Sequence, residues 1–191
     1  MSKHIFLIGT ALILLGLQGC NDAENTKNQQ EITTKKVIEN PNEIILKSID
    51  AKKIVILKTP NGFILKKDPK KIVIFDIFAT WCPPCRAEAK ALSNLQKKYK
   101  DDLTIIGVSV EEGIDNAKLQ NFIDMTHANY SFVNSSHNHD IIDAVVHNLK
   151  VGKRFGIPLM AMYKDGKLLN YYVGATEEEF IESDIKQAIG K

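Results

Sequence analysis

Two cysteines separated by two residues are the side chains of this 191-residue sequence best placed to do chemistry. They are Cys82 and Cys85, with Pro83 and Pro84 between them. Such a pair can exchange electrons with other thiols, or it can supply two of the four ligands of a zinc ion. The spacing alone leaves both kinds of chemistry open.

The segments around the pair predict where its thiols lie. Residues 71–78 are apolar on both faces, as in a central strand covered by helices, and residues 83–99 have the composition and apolar spacing of a helix. The first thiol then sits at a helix N terminus, which favours the thiolate and lowers the pKa of the thiol below its usual value of about 8.5. We therefore predict that Cys82 is the nucleophile and that Cys85, further inside, resolves the mixed disulfide.

A zinc site at the pair would need two further ligands. The candidates are His137 and His139, which lie far along the chain in a polar segment that we expect to be a solvated loop before a helix. The two prolines also lack the backbone N–H groups that a zinc knuckle directs at its sulfurs. These features favour redox chemistry, and we expect no metal and no cofactor.

The composition fits one α/β domain with appendages. Apolar residues make up 44% and charged residues 25%, the balance of a globular protein, and a net charge of +2 gives no reason to expect nucleic acid as a partner. Residues 43–65 predict an antiparallel hairpin or meander, and the order β-α-β-α-β-α-β-β-α follows. Residues 164–167 predict a two-residue hairpin turn, and Thr176 with Glu179 predicts a capping box for a last helix ending near Ile189.

The N-terminal residues predict a bacterial lipoprotein. Residues 1–19 have a short positive start and an apolar run suited to a signal peptide, and Leu17-Gln18-Gly19-Cys20 resembles a lipobox. Acylated Cys20 would anchor the protein to the membrane; an ordinary secretory signal that ends near a cysteine is the alternative. Residues 20–42 are polar enough to be a flexible tether to a domain at 43–191. We therefore expect the protein in the cell envelope, facing the periplasm or another extracytoplasmic space.

The segment from Phe78 to Glu88, FATWCPPCRAE, resembles the active-site segment of the TlpA/ResA-type membrane-tethered thioredoxin-like reductases. The resemblance extends over roughly residues 43–190 and implies a thioredoxin-like α/β fold with an N-terminal β-hairpin and a central insertion. It also implies client proteins with thiols or disulfides, apocytochrome c the commonest among them. A membrane electron-transfer protein of the DsbD/CcdA type would recharge the site.

The same resemblance assigns roles to two residues near the cysteines. Gly156-Ile157-Pro158 matches the family's cis-proline turn, so Ile157 and Pro158 would face the disulfide and bind an extended substrate strand. A trans proline that starts an edge strand is the alternative. We also expect Trp81 to pack beside the disulfide and limit solvent access to it; an ordinary core aromatic residue at this position is compatible with that role.

Two carboxyl groups are candidates for accepting the proton of the resolving thiol. Asp76 lies in the predicted central strand, where burial would raise its pKa and make it able to exchange a proton with Cys85. Thioredoxins resemble this sequence in having an aspartate at that position. Many TlpA-type proteins have asparagine there and use, as proton acceptor, a glutamate that matches Glu88. Alternatively, Asp76 is purely structural and Glu88 is an exposed acid favoured by the helix dipole.

The direction of electron flow stays open at this point. Thioredoxin-like sites range from about -270 mV in reductants to about -120 mV in oxidants, so a disulfide oxidase or isomerase of the same fold is the nearest alternative to a reductase. Asp76 with Ile157 resembles thioredoxin and favours reduction. A metal-binding chaperone lipoprotein that uses the cysteines with His137 and His139 is the alternative from another class.

Overall fold

The computed structural model describes residues 40–134, 137–152 and 154–191 of the chain. Within them it has eight strands and four helices. The predicted signal peptide, the lipidation site Cys20 and nearly all of the predicted tether lie outside the described residues, so these remain predictions. In the described part, none of the helices is both long enough and apolar enough to cross a bilayer.

The domain begins with a three-stranded antiparallel meander. It consists of β1 (Glu43–Lys47), β2 (Lys53–Thr59) and β3 (Gly62–Leu65), paired in the order β1-β2-β3. These runs are rich in β-branched residues, and alternate side chains such as Ile44 and Leu46 enter the core. The predicted N-terminal hairpin or meander is thereby confirmed.

A five-stranded sheet forms the centre of the domain in the order β6-β5-β4-β7-β8. Strands β4, β5 and β6 are parallel, and β7 and β8 are antiparallel to their neighbours. Every residue of β4 is buried, as its apolar sequence predicts. The five strands are β4 (Ile72–Phe78), β5 (Leu103–Ser109), β6 (Ser131–Val133), β7 (Leu159–Lys164) and β8 (Lys167–Val173).

Helices cover both faces of this sheet. The helices are α1 (Pro83–Lys98), α2 (Asn116–Thr126), α3 (Asn138–Leu149) and α4 (Glu178–Ile189). Side chains of α1, α2 and α4 share one hydrophobic cluster, while those of α3 and the meander share another. The predicted element order is confirmed.

Alternation along β4 decides which cluster each of its side chains joins. Ile74 and Phe78 belong to the cluster that contains both cysteines, and Phe75 and Ile77 belong to the cluster beneath the meander. Asp76 lies between Phe75 and Ile77, so its side chain points to the same face as Ile74 and Phe78. The sheet therefore places this carboxyl on the face covered by α1.

The local predictions for turns and helix ends have mixed outcomes. The hairpin turn is confirmed, because Asp165 and Gly166 join β7 to β8 with φ values of 51° and 75°. The predicted capping box at Thr176 is wrong. The N-cap residue of α4 is Glu177, one residue after Thr176, and its side chain makes no capping hydrogen bond. The backbone N–H of Thr176 instead donates to a side chain of α1.

The two histidines do not share a loop. Helix α3 begins earlier than the sequence predicts, so His139 lies in its first turn and His137 directly precedes it. The side chain of His137 pairs with Asp140, with 2.7 Å between Nδ1 and Oδ2. The expectation that both histidines are on a solvated loop is therefore wrong.

Candidate active site

The two cysteines form a disulfide at the N-terminal end of α1, where the sequence places them. Cys82 is the N-cap residue, and its sulfur accepts the backbone N–H of Cys85 at 3.3 Å. Pro83 and Pro84 begin the helix, where their missing N–H groups remove no intrahelical hydrogen bond. Both cysteines are buried in the oxidised state, so exposure does not distinguish Cys82 from Cys85.

The turn before β7 lies against Cys82. The peptide bond between Ile157 and Pro158 is cis, as the resemblance predicts, and the Ile157 carbonyl oxygen is 3.9 Å from the Cys82 sulfur. The carbonyl of Pro158 accepts the N–H of Gly174 at 2.8 Å, which ties this turn to the end of β8. Pro158 is buried and Ile157 is half-buried. The sheet thus brings together two segments that are far apart in sequence.

Trp81 is exposed, contrary to its interpretation as an ordinary core aromatic residue. It lies in the turn between β4 and α1, and 61% of its surface is accessible to solvent. It is therefore not a core aromatic residue. The disulfide is buried as part of the hydrophobic cluster beneath α1.

Asp76 is a buried carboxyl with one clear partner. It is 3% exposed, and its Oδ2 accepts the hydroxyl of Tyr130 at 2.8 Å. Burial raises the pKa of Asp76 to about 7, although the hydrogen bond from Tyr130 acts in the opposite direction. The prediction of a raised pKa at this position is confirmed. Tyr130 was not predicted as part of the site.

Glu88 is also buried, so the interpretation of an exposed acid is wrong. Its Oε1 accepts the backbone N–H of Thr176 at 3.0 Å, and it borders a cleft of about 400 Å³ between α1 and the start of α4. Burial, and after it the charge of Asp76, raises the pKa of Glu88 to about 8. The charge of Asp76 on β4 therefore acts on Glu88 of α1.

Two further charged residues hold the loop that leads to Cys82. The backbone N–H of Thr80 donates a hydrogen bond to Oε2 of Glu111 at 2.7 Å. The Thr80 carbonyl oxygen accepts a hydrogen bond from Nη2 of Arg86, also at 2.7 Å. Partial burial raises the pKa of Glu111, but hydrogen bonds from Lys118 and Thr80 lower it more. No sequence pattern pointed to Glu111, because it follows a strand that is adjacent to the active-site strand only in the folded sheet.

The described residues do not provide a metal site. Across 40–134, 137–152 and 154–191, His, Cys, Asp and Glu side chains nowhere form a group of three or more that could hold a metal ion. His137 and His139 therefore do not join the cysteines in such a group.

The fold and this site define the class of thioredoxin-like thiol-disulfide oxidoreductases. The chain belongs to the Redoxin family, whose model matches residues 50–189. Its fold is similar to that of a thiol:disulfide interchange protein of the thioredoxin family from Chlorobium tepidum, with a TM-score of 0.64. That alignment covers 78% of this chain and 94% of the other at 22% identity, which supports the shared fold.

Sequence relatives are thioredoxins and thioredoxin-like proteins. Thioredoxin H3 of Arabidopsis thaliana is 27% identical over 114 residues, which are 60% of this chain and 69% of the relative. The thioredoxin-like protein YneN of Bacillus subtilis is 46% identical over 39 residues, 20% of this chain. The matched stretch spans only 23% of YneN.

Proposed function

We propose that this protein is an extracytoplasmic disulfide reductase in which Cys82 is the nucleophile and Cys85 is the resolving thiol. The observation that carries the proposal is the disulfide at the N terminus of α1, with the Ile157 carbonyl 3.9 Å from Cys82. Two carboxyls have a raised pKa: Asp76 lies on the sheet beneath this helix, and Glu88 belongs to the helix itself. This combination provides an electron-carrying pair and groups that take up its protons.

In the first step, the thiolate of reduced Cys82 attacks one sulfur of a client disulfide. A bond forms between Cys82 and that sulfur, the client S–S bond breaks, and the other client sulfur leaves as a thiolate that takes up a proton. The helix N terminus favours the Cys82 thiolate through its dipole and through the N–H of Cys85. This geometry supports Cys82 as the attacking sulfur.

In the second step, the Cys85 thiol gives its proton to Asp76 or Glu88, and the resulting thiolate attacks the Cys82 sulfur. The Cys82–Cys85 disulfide forms, the mixed disulfide breaks, and the second client thiolate leaves and is protonated. The client gains two electrons and two protons, and the protein is oxidised. A carboxyl with a pKa of about 7 or 8 suits this transfer at neutral pH.

The surface beside Cys82 suits an extended client segment. Trp81, the residue before Cys82, presents an exposed indole, and the carbonyl of Ile157 in the turn with Pro158 lies 3.9 Å from the Cys82 sulfur. We assign these three residues to client binding.

The proposed location follows from the N-terminal sequence. A signal peptide at residues 1–19, a lipid anchor at Cys20 and a tether to residue 42 would hold the domain at the outer surface of a membrane. A membrane electron-transfer protein of the DsbD/CcdA type would return two electrons to the Cys82–Cys85 disulfide. The resemblance to TlpA/ResA-type reductases supports this donor and supports apocytochrome c as a client.

A trapping experiment in the native organism tests the assigned roles. The Cys85→Ser variant lacks the resolving thiol, so it should accumulate mixed disulfides between Cys82 and its clients, visible on non-reducing gels. The matched Cys82→Ser variant should trap few or none. Equal trapping by both variants would show that the nucleophile is assigned wrongly.

The redox potential tests the direction of electron flow. Equilibration of the purified wild-type protein with glutathione should give a potential well below -150 mV, towards the roughly -270 mV of thioredoxin. A value near or above about -150 mV would overturn the reductase proposal in favour of an oxidase or isomerase of the same fold.

A further inference from the structure

A glycine in β5 makes space beside Asp76. Gly107 is the residue of β5 in register with Asp76 of β4. A Cβ atom at Gly107 would lie 2.8 Å from two ring carbons of Phe132 and 3.2 Å from Cε2 of Tyr130. The first contact is shorter than Cβ atoms make without rearrangement, so a larger residue at 107 would displace these rings.

The ring of Tyr130 occupies this space and directs its hydroxyl at Asp76. Its centroid is 4.4 Å from that of Phe132, and Phe132 is itself in register with Gly107 across the pairing of β5 with β6. Tyr130 is buried, and its hydroxyl donates to Asp76 at 2.8 Å. The hydroxyl is therefore a fixed donor, held by packing on a strand pair that contains no catalytic residue.

We propose that Tyr130 is a positioning residue for the second step of the reaction, because its fixed hydroxyl stabilises the ionised Asp76 carboxylate that receives the Cys85 proton. The inference rests on the proposed function for this role in catalysis. The contact with Asp76 itself can be tested whether or not the protein is a reductase.

The direction of the effect follows from the groups around Asp76. Helix α1 contributes Glu88, whose own ionisation the charge of Asp76 opposes, and Cys85, which belongs to the hydrophobic cluster on this face of the sheet. The residues paired with Asp76, Gly107 of β5 and Met160 of β7, have no ionisable side chain. Tyr130 is thus the neighbour that favours the carboxylate, and removal of its hydroxyl should raise the pKa of Asp76 further.

The test is the Tyr130→Phe variant, which keeps the ring in its space and removes only the hydroxyl. Carbon-13 NMR of the Asp76 carboxyl in the oxidised protein should show its titration midpoint moving up by about one pH unit. The matched control is Tyr99→Phe, which removes a hydroxyl that donates to Glu182 at 2.6 Å. In the control the Asp76 midpoint should stay where it is in the wild type.

A kinetic measurement connects the contact to the reaction. In Tyr130→Phe, the acid limb of the pH profile for disulfide exchange should move to higher pH by the same amount, with the wild-type rate regained at high pH. With Asn in place of Asp76, the Tyr130→Phe change should produce no further shift. A folded Tyr130→Phe protein with an unchanged Asp76 midpoint would overturn this inference. A wild-type protein that reduces no disulfide would instead overturn the proposed function, and the NMR titration would still decide the role of Tyr130.

Discussion

The two faces of strand β4 are both buried, yet they differ in what they contain. The face beneath α1 carries Asp76 and, across from it, the disulfide and Glu88. The other face carries Phe75, whose ring packs edge to face against Phe63 and Tyr163 at centroid distances of 5.6 and 5.9 Å. One strand thus separates the reactive groups from an aromatic cluster.

The difference shows how burial is used in each place. On the α1 face, burial disfavours the charged forms of two carboxyls and so raises their pKa. The raised pKa makes both groups suitable proton acceptors near neutral pH. Beneath the meander, burial removes apolar rings from water and stabilises the fold directly. We therefore expect changes on the first face to alter pH dependence and changes on the second to alter overall stability.

The largest effect on stability is expected from Phe75→Ala. Removal of this fully buried ring should lower the free energy of unfolding by about 3–5 kcal/mol, measured by urea denaturation of the oxidised protein. Tyr171→Ala, which deletes an exposed ring on β8, is the matched control and should cost much less. The pH profile of disulfide exchange should not move in either variant. A shifted profile in Phe75→Ala would mean that the two faces are coupled.

Asp76→Asn also changes a buried side chain, but it should raise the free energy of unfolding at neutral pH instead of lowering it. The folded-state pKa of Asp76, about 7, lies above the ordinary value of 3.8, so the unfolded chain releases this proton first as pH rises. The stability of the wild-type protein therefore falls as pH rises from about 4 to about 7, and the loss persists above pH 7. At about 1.36 kcal/mol per pKa unit, the loss approaches roughly 4 kcal/mol at pH 8.

The neutral asparagine should remove this part of the pH dependence. Urea denaturation at pH 4 and pH 8 should show a smaller drop in stability for Asp76→Asn than for the wild type, with Asp101→Asn, an exposed change, as control. Part of the drop will remain because Glu88 titrates in the same sense, with a pKa raised to about 8. An unchanged drop in Asp76→Asn would contradict the assignment of Asp76 as a buried acid with a raised pKa.

The smallest effect is expected from Tyr163→Phe. The Tyr163 hydroxyl is buried in the aromatic cluster and has no hydrogen-bond partner among the described residues. Its removal should leave stability unchanged or raise it by up to about 1 kcal/mol, because no hydrogen bond is lost. The control Tyr99→Phe removes a hydroxyl that donates to Glu182, so its free energy of unfolding should fall by about 1 kcal/mol. A loss of more than about 1 kcal/mol in Tyr163→Phe would indicate a partner for that hydroxyl.

Much of the fold could be predicted because its signals are local. The apolar run of β4, the helical spacing after Pro83 and the Asp165-Gly166 turn each depend on neighbouring residues, and the structure confirms them. The capping box at Thr176 was wrong even though its pattern was local. The N–H of Thr176 is used by Glu88, a residue of another helix, and the sequence pattern does not include that competition.

The sequence by itself determined the reactive pair, the strand and helix that present it, and a buried acid six residues before Cys82. Those features follow from side-chain type and periodicity, which act over a few residues. Only the tertiary structure decided that Trp81 is exposed, that Glu88 is buried and that Tyr130 donates to Asp76. Each of these depends on which distant segments the sheet brings together, and Tyr130 reaches Asp76 across 54 residues of sequence because Gly107 leaves room for its ring.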